Sequence, residues 1–324
     1  MSYPVGASAG LWYGSVAPNP AYSGTFIPEI WSGKLIEKFY SATVLAAIAN
    51  TDYEGEIRGQ GDKVKIRTKP TLTINDYTAG QTLVYQRPSS NIVELLIDKG
   101  KYFNAVVDDV QEVQADLDML SMWSDDASEQ MKIAIDTTVL HDTTGIGAAG
   151  DLSAYNYGAT AGRISGDINL GTSGSPISLV SRSPGSGEAE IMDYIVDLGL
   201  CLDEQNIPET GRWIVMPAWA AALLKRSELR DASLTGDGMS LARNGRLGMI
   251  DRFTIYVSNL LPTNTGATAI YAGHPHGFTF ASQLTKMETL RAETTFGTIM
   301  RGLQVFGYQV VDGTAIVKGY AVKA

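Results

Sequence analysis

Apolar positions recur at steps of four and three along one stretch of this chain. They run Val106, Val110, Val113, Leu117, Leu120, Ala127, Met131 and Ala134, and only Ser124 breaks the beat. Such a period is helical and is held over about five heptads. No glycine or proline interrupts it before Gly145. The pattern predicts one helix over 106–140, a rod of roughly 50 Å at ~1.5 Å rise per residue. A rod of that length suits a subunit shaped for assembly better than a compact enzyme. Just before it, Lys63-Val64-Lys65-Ile66-Arg67 alternates with period two, as a half-exposed strand does. Leu72 and Ile74 follow, then the turn-rich stretch 75–80. The chain returns through Leu83-Val84-Tyr85 and Ile92-Val93-Glu94-Leu95. Residues 55–104 are therefore expected to form a ribbon. An isolated hairpin is marginal in water, so this one needs another surface beneath it.

The remaining elements follow from similar patterns. Residues 1–26 are rich in Gly, Pro, Ser and Tyr and show no period. They order only by lying on something else, and Trp12 and Tyr13 are candidates for that contact. Pro28 suits the first turn of a helix running to Ala49. The Gly/Ser-rich stretch 145–188 has the composition of a linker or loop. A helix is expected at about 188–205, carrying Ile191, Tyr194, Ile195, Leu198 and Leu202. Trp213-Ile214-Val215-Met216 has the form of a buried strand, and Pro217 opens a further helix. Phe253-Thr254-Ile255-Tyr256-Val257 is another strand. Strands are expected at about 269–280 and 285–296, followed by a hairpin turning at Asp312-Gly313.

Charge separates ribbon from rod. Between Arg58 and Arg87 stand six basic residues and two acidic ones, a net of +4; between Asp108 and Asp136 stand nine acidic residues and one lysine, a net of −8. Each charge by itself is explained by a solvated face. Together they suggest a basic arm (Lys63, Lys65, Arg67, Lys69, Arg87) reaching the acidic rod (Asp109, Glu112, Asp116) of another subunit. Complementary patches of this kind set register and encounter rate more than affinity. The whole 324-residue chain has a net charge of −10, which argues against a surface that binds nucleic acid throughout. One cysteine, Cys201, excludes an internal disulfide. No run of ~18 apolar residues is present to span a membrane. The start, Met1-Ser2-Tyr3-Pro4, lacks the basic and apolar regions of a secretory signal. A soluble protein made in a cytosol is expected.

Catalytic patterns are weak. Gly145-Ile146-Gly147-Ala148-Ala149-Gly150 matches the dinucleotide fingerprint in letters only. It follows a helix instead of a strand, so a helix stop is the better reading. His274-Pro275-His276 has no carboxylate or thiol cluster nearby in sequence, and loop histidines without a metal explain it better. Cys201 sits beside Leu200 and Leu202 and is read as a small buried hydrophobe. No nucleophile elbow is present. Carboxylates are plentiful, so a carboxylate-based hydrolase stays as the alternative from another class. No catalytic residue, metal or cofactor is assigned.

The order of elements resembles the major capsid protein of tailed bacteriophages, the Hong Kong 97 fold. The likeness lies in Ile27-Pro28-Glu29-Ile30-Trp31-Ser32-Gly33-Lys34-Leu35, Gly59-Gln60-Gly61-Asp62-Lys63-Val64-Lys65-Ile66, Asp108-Asp109-Val110-Gln111, Trp213-Ile214-Val215-Met216-Pro217 and residues 245–259. The fold class that it implies is α+β: an N-terminal arm, an extended β-ribbon loop, a long spine helix in a peripheral domain, and an axial α/β domain. On this sequence that places the arm at 1–27, a short helix region at 28–54, the ribbon at 55–104 and the spine helix at 105–144. A Gly/Ser-rich insertion at 145–188, the axial domain at 189–268 and returning strands of the peripheral domain at 269–324 complete it. The implied function is self-assembly, as hexamers and pentamers, into an icosahedral shell around phage double-stranded DNA. The shell would be part of the virion, its subunit made in the bacterial host cytoplasm, and no sequence-specific grip on the DNA is expected. An encapsulin-type compartment is the alternative within the fold. The short arm starting at Met1 departs from a prototype whose long scaffolding region is cleaved, and favours a separate scaffolding protein alongside a portal. The prototype joins a loop lysine to an asparagine of a neighbour. Lys63, Lys65 and Lys69 lie in the matching loop, but nothing marks a partner asparagine.

Overall fold

A computed structural model describes residues 41, 43–52, 63–67, 69–70, 72–90, 92–110, 119–141, 168–227, 248–264, 266–293 and 295–324. The chain divides into Met1–Glu37 and Lys38–Ala324, and every described residue belongs to the second unit.

Three sheets are present among these residues. Strands β1 (Lys63–Arg67) and β2 (Ile92–Leu96) pair antiparallel as a ribbon, with Lys65 opposite Glu94. Strand β3 (Lys99–Asp108) leaves the ribbon for a second sheet, where it pairs with β12 (Gly297–Val310), itself paired with β11 (Phe278–Arg291). The third sheet has eight strands. Its centre is β10 (Ala267–Gly273), flanked by β6 (Arg212–Met216) and β13 (Ile316–Lys323). Strands β4 (Ile177–Val180) and β5 (Glu188–Glu190) extend it beyond β13. On the other side lie β8 (Phe253–Val257) and β7 (Met249–Ile250), while β9 (Thr263–Asn264) pairs with β10. The helices are α1 (Leu45–Ile48), α2 (Met119–Leu140), α3 (Ile191–Glu204) and α4 (Ala218–Arg226).

The large sheet is covered on both faces, so its central strands are buried and largely apolar. Along β6 the side chains alternate between two clusters. Ile214 and Met216 join Ile195, Leu198, Leu202 and Leu224 of α3 and α4. Trp213 and Val215 join Ile135, Val139 and Leu140 of α2, together with Phe306 and Tyr308 of β12. The second cluster ties the end of the long helix to both large and small sheets. Three polar contacts finish that joint. The Tyr271 hydroxyl donates to the Leu140 carbonyl at 3.0 Å, and the Tyr308 hydroxyl to that of Thr138 at 3.5 Å. These are carbonyls that a helix end leaves without an internal partner. The Asp136 carboxylate accepts from the backbone N–H groups of Val44 at 2.6 Å and Leu45 at 3.2 Å, and so holds the start of α1.

Several expectations need correction. The long helix does not start at Val106. Residues 99–108 are strand β3, Asp109 and Val110 are helical, and the long helix is described from Met119; residues 111–118 lie outside the described residues. Ten residue pairs with β12 decide the matter, because Phe103, Ala105 and Val107 also satisfy a period of two. An apolar row at helical spacing calls for a cover, yet this one is not buried along its described length. Val110 is 59% exposed, Leu120 is half-buried, and the buried positions are Ile135, Asp136, Val139 and Leu140. Val113 and Leu117 lie outside the described residues. The helix expected over 28–49 is, among described residues, only the turn Leu45–Ile48; the stretch 28–40 lies outside them. Residues 145–188 are not loop throughout, for β4 pairs parallel with β13 inside the large sheet. Asp312-Gly313 does not close a hairpin. The Asp312 side chain accepts from the Thr314 N–H at 3.0 Å and its hydroxyl at 2.7 Å. The resulting 3-10 turn, Gly313–Ala315, hands the chain from the small sheet to the large one. Another 3-10 turn, Pro275–Gly277, splits the strand expected at 269–280, and the strand expected to run to 296 ends at Arg291, the end of β11. Two strands of the 269–324 segment, β10 and β13, thus belong to the large sheet and not to the peripheral layer.

In denaturant unfolding of the unassembled subunit, Leu140→Ala is expected to cost ~2–5 kcal/mol and Val110→Ala no more than about 0.5 kcal/mol. Burial pushes the Asp136 carboxyl above its usual range, against the two backbone hydrogen bonds from Val44 and Leu45. A carboxyl that holds its proton more tightly when folded costs stability as pH rises from its unfolded value through its folded one. As pH rises from about 4, the unfolded value, the parent chain should therefore lose stability relative to Asp136→Asn. A constant difference between the two chains would contradict this.

Candidate assembly interface

On β1 the side chains of Lys63, Lys65 and Arg67 are exposed, while Ile66 is buried at the foot of the ribbon. Glu94 on β2 lies between the two lysines, 3.7 Å from Lys63 Nζ and 3.5 Å from Lys65 Nζ. One carboxylate thus serves two ammonium groups. Arg67, Lys69 and Arg87 form no ion pair among the described residues. Among the described residues of the ribbon, the strip keeps a net positive charge.

Beyond the ladder, residues 69–90 carry no regular structure among those described, and all are exposed. The sequence predicts strand here at Leu72, Ile74 and 83–85, but the two limbs are joined by side-chain bonds instead. The Gln86 side chain accepts from the Thr73 N–H at 3.0 Å and donates to its carbonyl at 2.7 Å. Leu72, Ile74, Tyr77, Leu83, Val84 and Tyr85 all face solvent, with Ile74 at 90% and Tyr85 at 94% exposure. Single exposed apolar residues are ordinary, but six on one projecting tip mark a contact surface.

The foot of the ribbon behaves differently from the tip. Ile66, Leu95 and Ile97 pack with Ala281 of β11, and Val64, Val93 and Val305 lie against them. The expectation of a ribbon wholly off its own subunit therefore needs dividing: the foot rests on the small sheet, the tip does not.

The acidic partner is only partly described. Asp125, Asp126 and Glu129 lie on the half-exposed first part of α2, Glu129 holding Lys132 at 2.6 Å. Asp109 is engaged at home, where its carboxylate receives a two-pronged pair from Arg291. Glu112, Asp116, Trp12 and Tyr13 lie outside the described residues. Beside α2, Leu120, Ser121, Ser124, Met287 and Met300 line an open groove of about 400 Å³. The first part of the helix therefore stands over a hollow, with no buried residue between Met119 and Ala134.

The candidate chemistry resolves simply. His274 Nδ1 accepts from the His276 N–H at 3.1 Å, inside the 3-10 turn. Burial lowers the His274 pKa, against a backbone hydrogen bond with Thr210; His276 and Arg212 also lower it. Among the described residues no group of three or more His, Cys, Asp or Glu is placed to hold a metal ion. The Cys201 thiol is buried, and burial with the nearby Asp197 and Glu204 carboxylates pushes its pKa up to about 12. A protonated thiol at that depth packs as a small apolar group. The Gly145–Gly150 stretch lies outside the described residues. Sequence reasoning missed an ionic knot. The buried Arg212 guanidinium meets Asp203 at 2.7 Å and donates to the Ile207 and Pro208 carbonyls. Arg252 reaches the same Asp203 at 2.8 Å and Glu209 at 2.9 Å. It ties the end of α3 to the starts of β6 and β8.

Comparison with known proteins agrees with this geometry. The family model for phage capsid protein matches residues 93–319, more than half of the chain, and the chain belongs to that family. Among solved structures, that of Mycobacterium phage Che8 is 27% identical with a TM-score of 0.70, covering 91% of this chain and 97% of that one. The capsid of cyanophage P-SCSP1u is 14% identical at TM-score 0.68, covering 93% and 96%. The capsid of a native GTA particle is 15% identical at TM-score 0.64, covering 94% and 100%. Among curated protein sequences none matches. The fold is the Hong Kong 97 capsid type, and the chain is a major capsid protein of the tailed-phage kind.

Because Glu94 and its lysines face water, Glu94→Gln should shift the unfolding free energy of the isolated subunit by no more than about 0.5 kcal/mol. A loss of several kcal/mol would place the ribbon in the subunit's own core.

Proposed function

We propose that copies of this chain build a shell by laying each ribbon tip on another copy, and that this shell holds double-stranded DNA. The observation that carries the first half is the projecting tip, basic along its stem and apolar at its end. The favoured receiving surface is the acidic, half-exposed first part of α2 on the next copy. There, Lys63, Lys65, Arg67, Lys69 and Arg87 would set register while the apolar tip supplies buried area. Hexamers and pentamers are the expected assembly units. Trp12, Tyr13, Glu112 and Asp116 stay candidates for contacts between copies.

The second half rests on family membership and on charge. A container has to release its genome, and a chain of net charge −10 suits a wall that does not grip it. A separate scaffolding protein and a portal are the proposed partners. The virion is the final location, after synthesis in the host cytoplasm. The chain is proposed to catalyse no reaction. Among the described residues, no helix is long and apolar enough to cross a membrane.

Charge reversal at Lys65 and Arg67 is expected to abolish shells under conditions where the parent chain assembles, and to leave the unfolding midpoint of the free subunit unchanged. Exposed charges more than ~8 Å apart are screened at physiological salt, so the loss should persist there only if the contacts are close. Normal shells from the reversed chain would end the electrostatic reading. Tight, sequence-dependent binding of DNA by the free subunit would end the container reading.

A further inference from the structure

The described limb of the ribbon that leads into β3 crosses the small sheet at one place. Strand β2 ends at Leu96, and β3 enters the sheet at Lys99, opposite Phe306. Between them the backbone passes over the next residue of β12, Gly307. A Cβ at Gly307 would lie 2.0 Å from the Leu96 carbonyl oxygen, 2.8 Å from its carbon and 2.9 Å from Ile97 Cα. All three are backbone atoms of the ribbon. No rotamer change relieves that overlap; the ribbon itself has to move. Two further features fall at the same place. Gly307 pairs directly with Ala281 of β11, the small residue on which Ile66, Leu95 and Ile97 rest. The register of β11 against β12 then shifts between Ser282 and Leu284, and an extra residue in one strand bends it locally. The sheet is thus thinned and kinked where the ribbon crosses it.

We infer that Gly307 is the positioning residue of the ribbon: its missing side chain lets the ribbon's backbone cross the sheet in contact, and this sets the angle at which the tip leaves the subunit. The inference rests on the reading of the tip as the bridge between copies. Its force comes from leverage. From Leu96 back to Gly80 at the tip the chain spans at most about 50 Å at ~3.3 Å per residue. A tilt of about 10° at the crossing then moves the tip by roughly 9 Å over that length, more than the width of a side chain. The cluster under the foot is a small satellite, separate from the two clusters that hold the large sheet. The ribbon can therefore tilt without opening either one.

The test uses the full chain with spin labels on Tyr85→Cys and Gln130→Cys, and measures the distance between tip and long helix. Gly100→Ala is the control, because a Cβ there meets nothing closer than 3.9 Å. Gly307→Ala is expected to shift the distance by at least about 5 Å, to lower shell yield at least tenfold, and to keep the control's unfolding midpoint. An unchanged distance, or a midpoint that falls while the distance stays the same, overturns the role assigned to Gly307. A shifted distance with normal shells leaves that role intact and overturns the bridging reading instead. Should Gly307→Ala fail to fold, Ala281→Val adds bulk beneath the same crossing from the paired strand. It is expected to shift distance and yield in the same direction, and no change in either overturns the inference.

Discussion

The last two turns of the long helix are the fixed point of the subunit. Ile135, Val139 and Leu140 enter a cluster that also contains Trp213 and Val215 of the large sheet and Phe306 and Tyr308 of the small one. Tyrosine hydroxyls from both sheets occupy its terminal carbonyls, and Asp136 reaches sideways to start α1. Packing of this kind transmits strain instead of absorbing it. Among the described residues this joint ties the two sheets together. The described first part of the helix (119–134) and the ribbon tip (72–90) have little cover from their own chain.

That asymmetry makes sense of a subunit with one well-buried body and several uncovered surfaces. The large sheet, closed on both faces by helices and by α2, supplies stability without help from other copies. The tip at 72–85 keeps six apolar side chains in water, and the first part of α2 stands over an open groove. Such surfaces are poor for an isolated protein and suited to one whose working state is an assembly. Charge is divided in the same way, positive along the ribbon stem and negative along the helix. On the proposed bridge those charges would guide and align, and burial of the apolar tip would supply most of the affinity.

Legibility in the sequence followed locality. The alternation of Lys63 to Arg67 located β1, and the unbroken apolar run at 213–216 located a strand buried on both faces. The period of Ile191, Tyr194, Ile195, Leu198 and Leu202 located α3. The start of the long helix was not legible. Val106 fits a helical step to Val110 and equally a strand step, and the deciding partner, Ile299, is nearly two hundred residues away. The turn at Asp312-Gly313 misled for a related reason, since a side-chain bond to Thr314 directs the chain to a different sheet. Of the candidate interface, the basic ladder was plain from charge. Its exposed apolar tip was not, because the same residues pattern as strands. The knot of Asp203, Arg212 and Arg252 joins positions that no spacing rule connects.

The central claim is that the ribbon tip completes its burial on another copy. Electron cryo-microscopy of the assembled shell tests it most directly, by the surroundings of Leu72, Ile74, Tyr77, Leu83, Val84 and Tyr85. The expected result is that these side chains are buried against a second copy, with Arg67, Lys69 or Arg87 beside its carboxylates. A tip that stays in solvent, or that folds back onto its own small sheet, would contradict it.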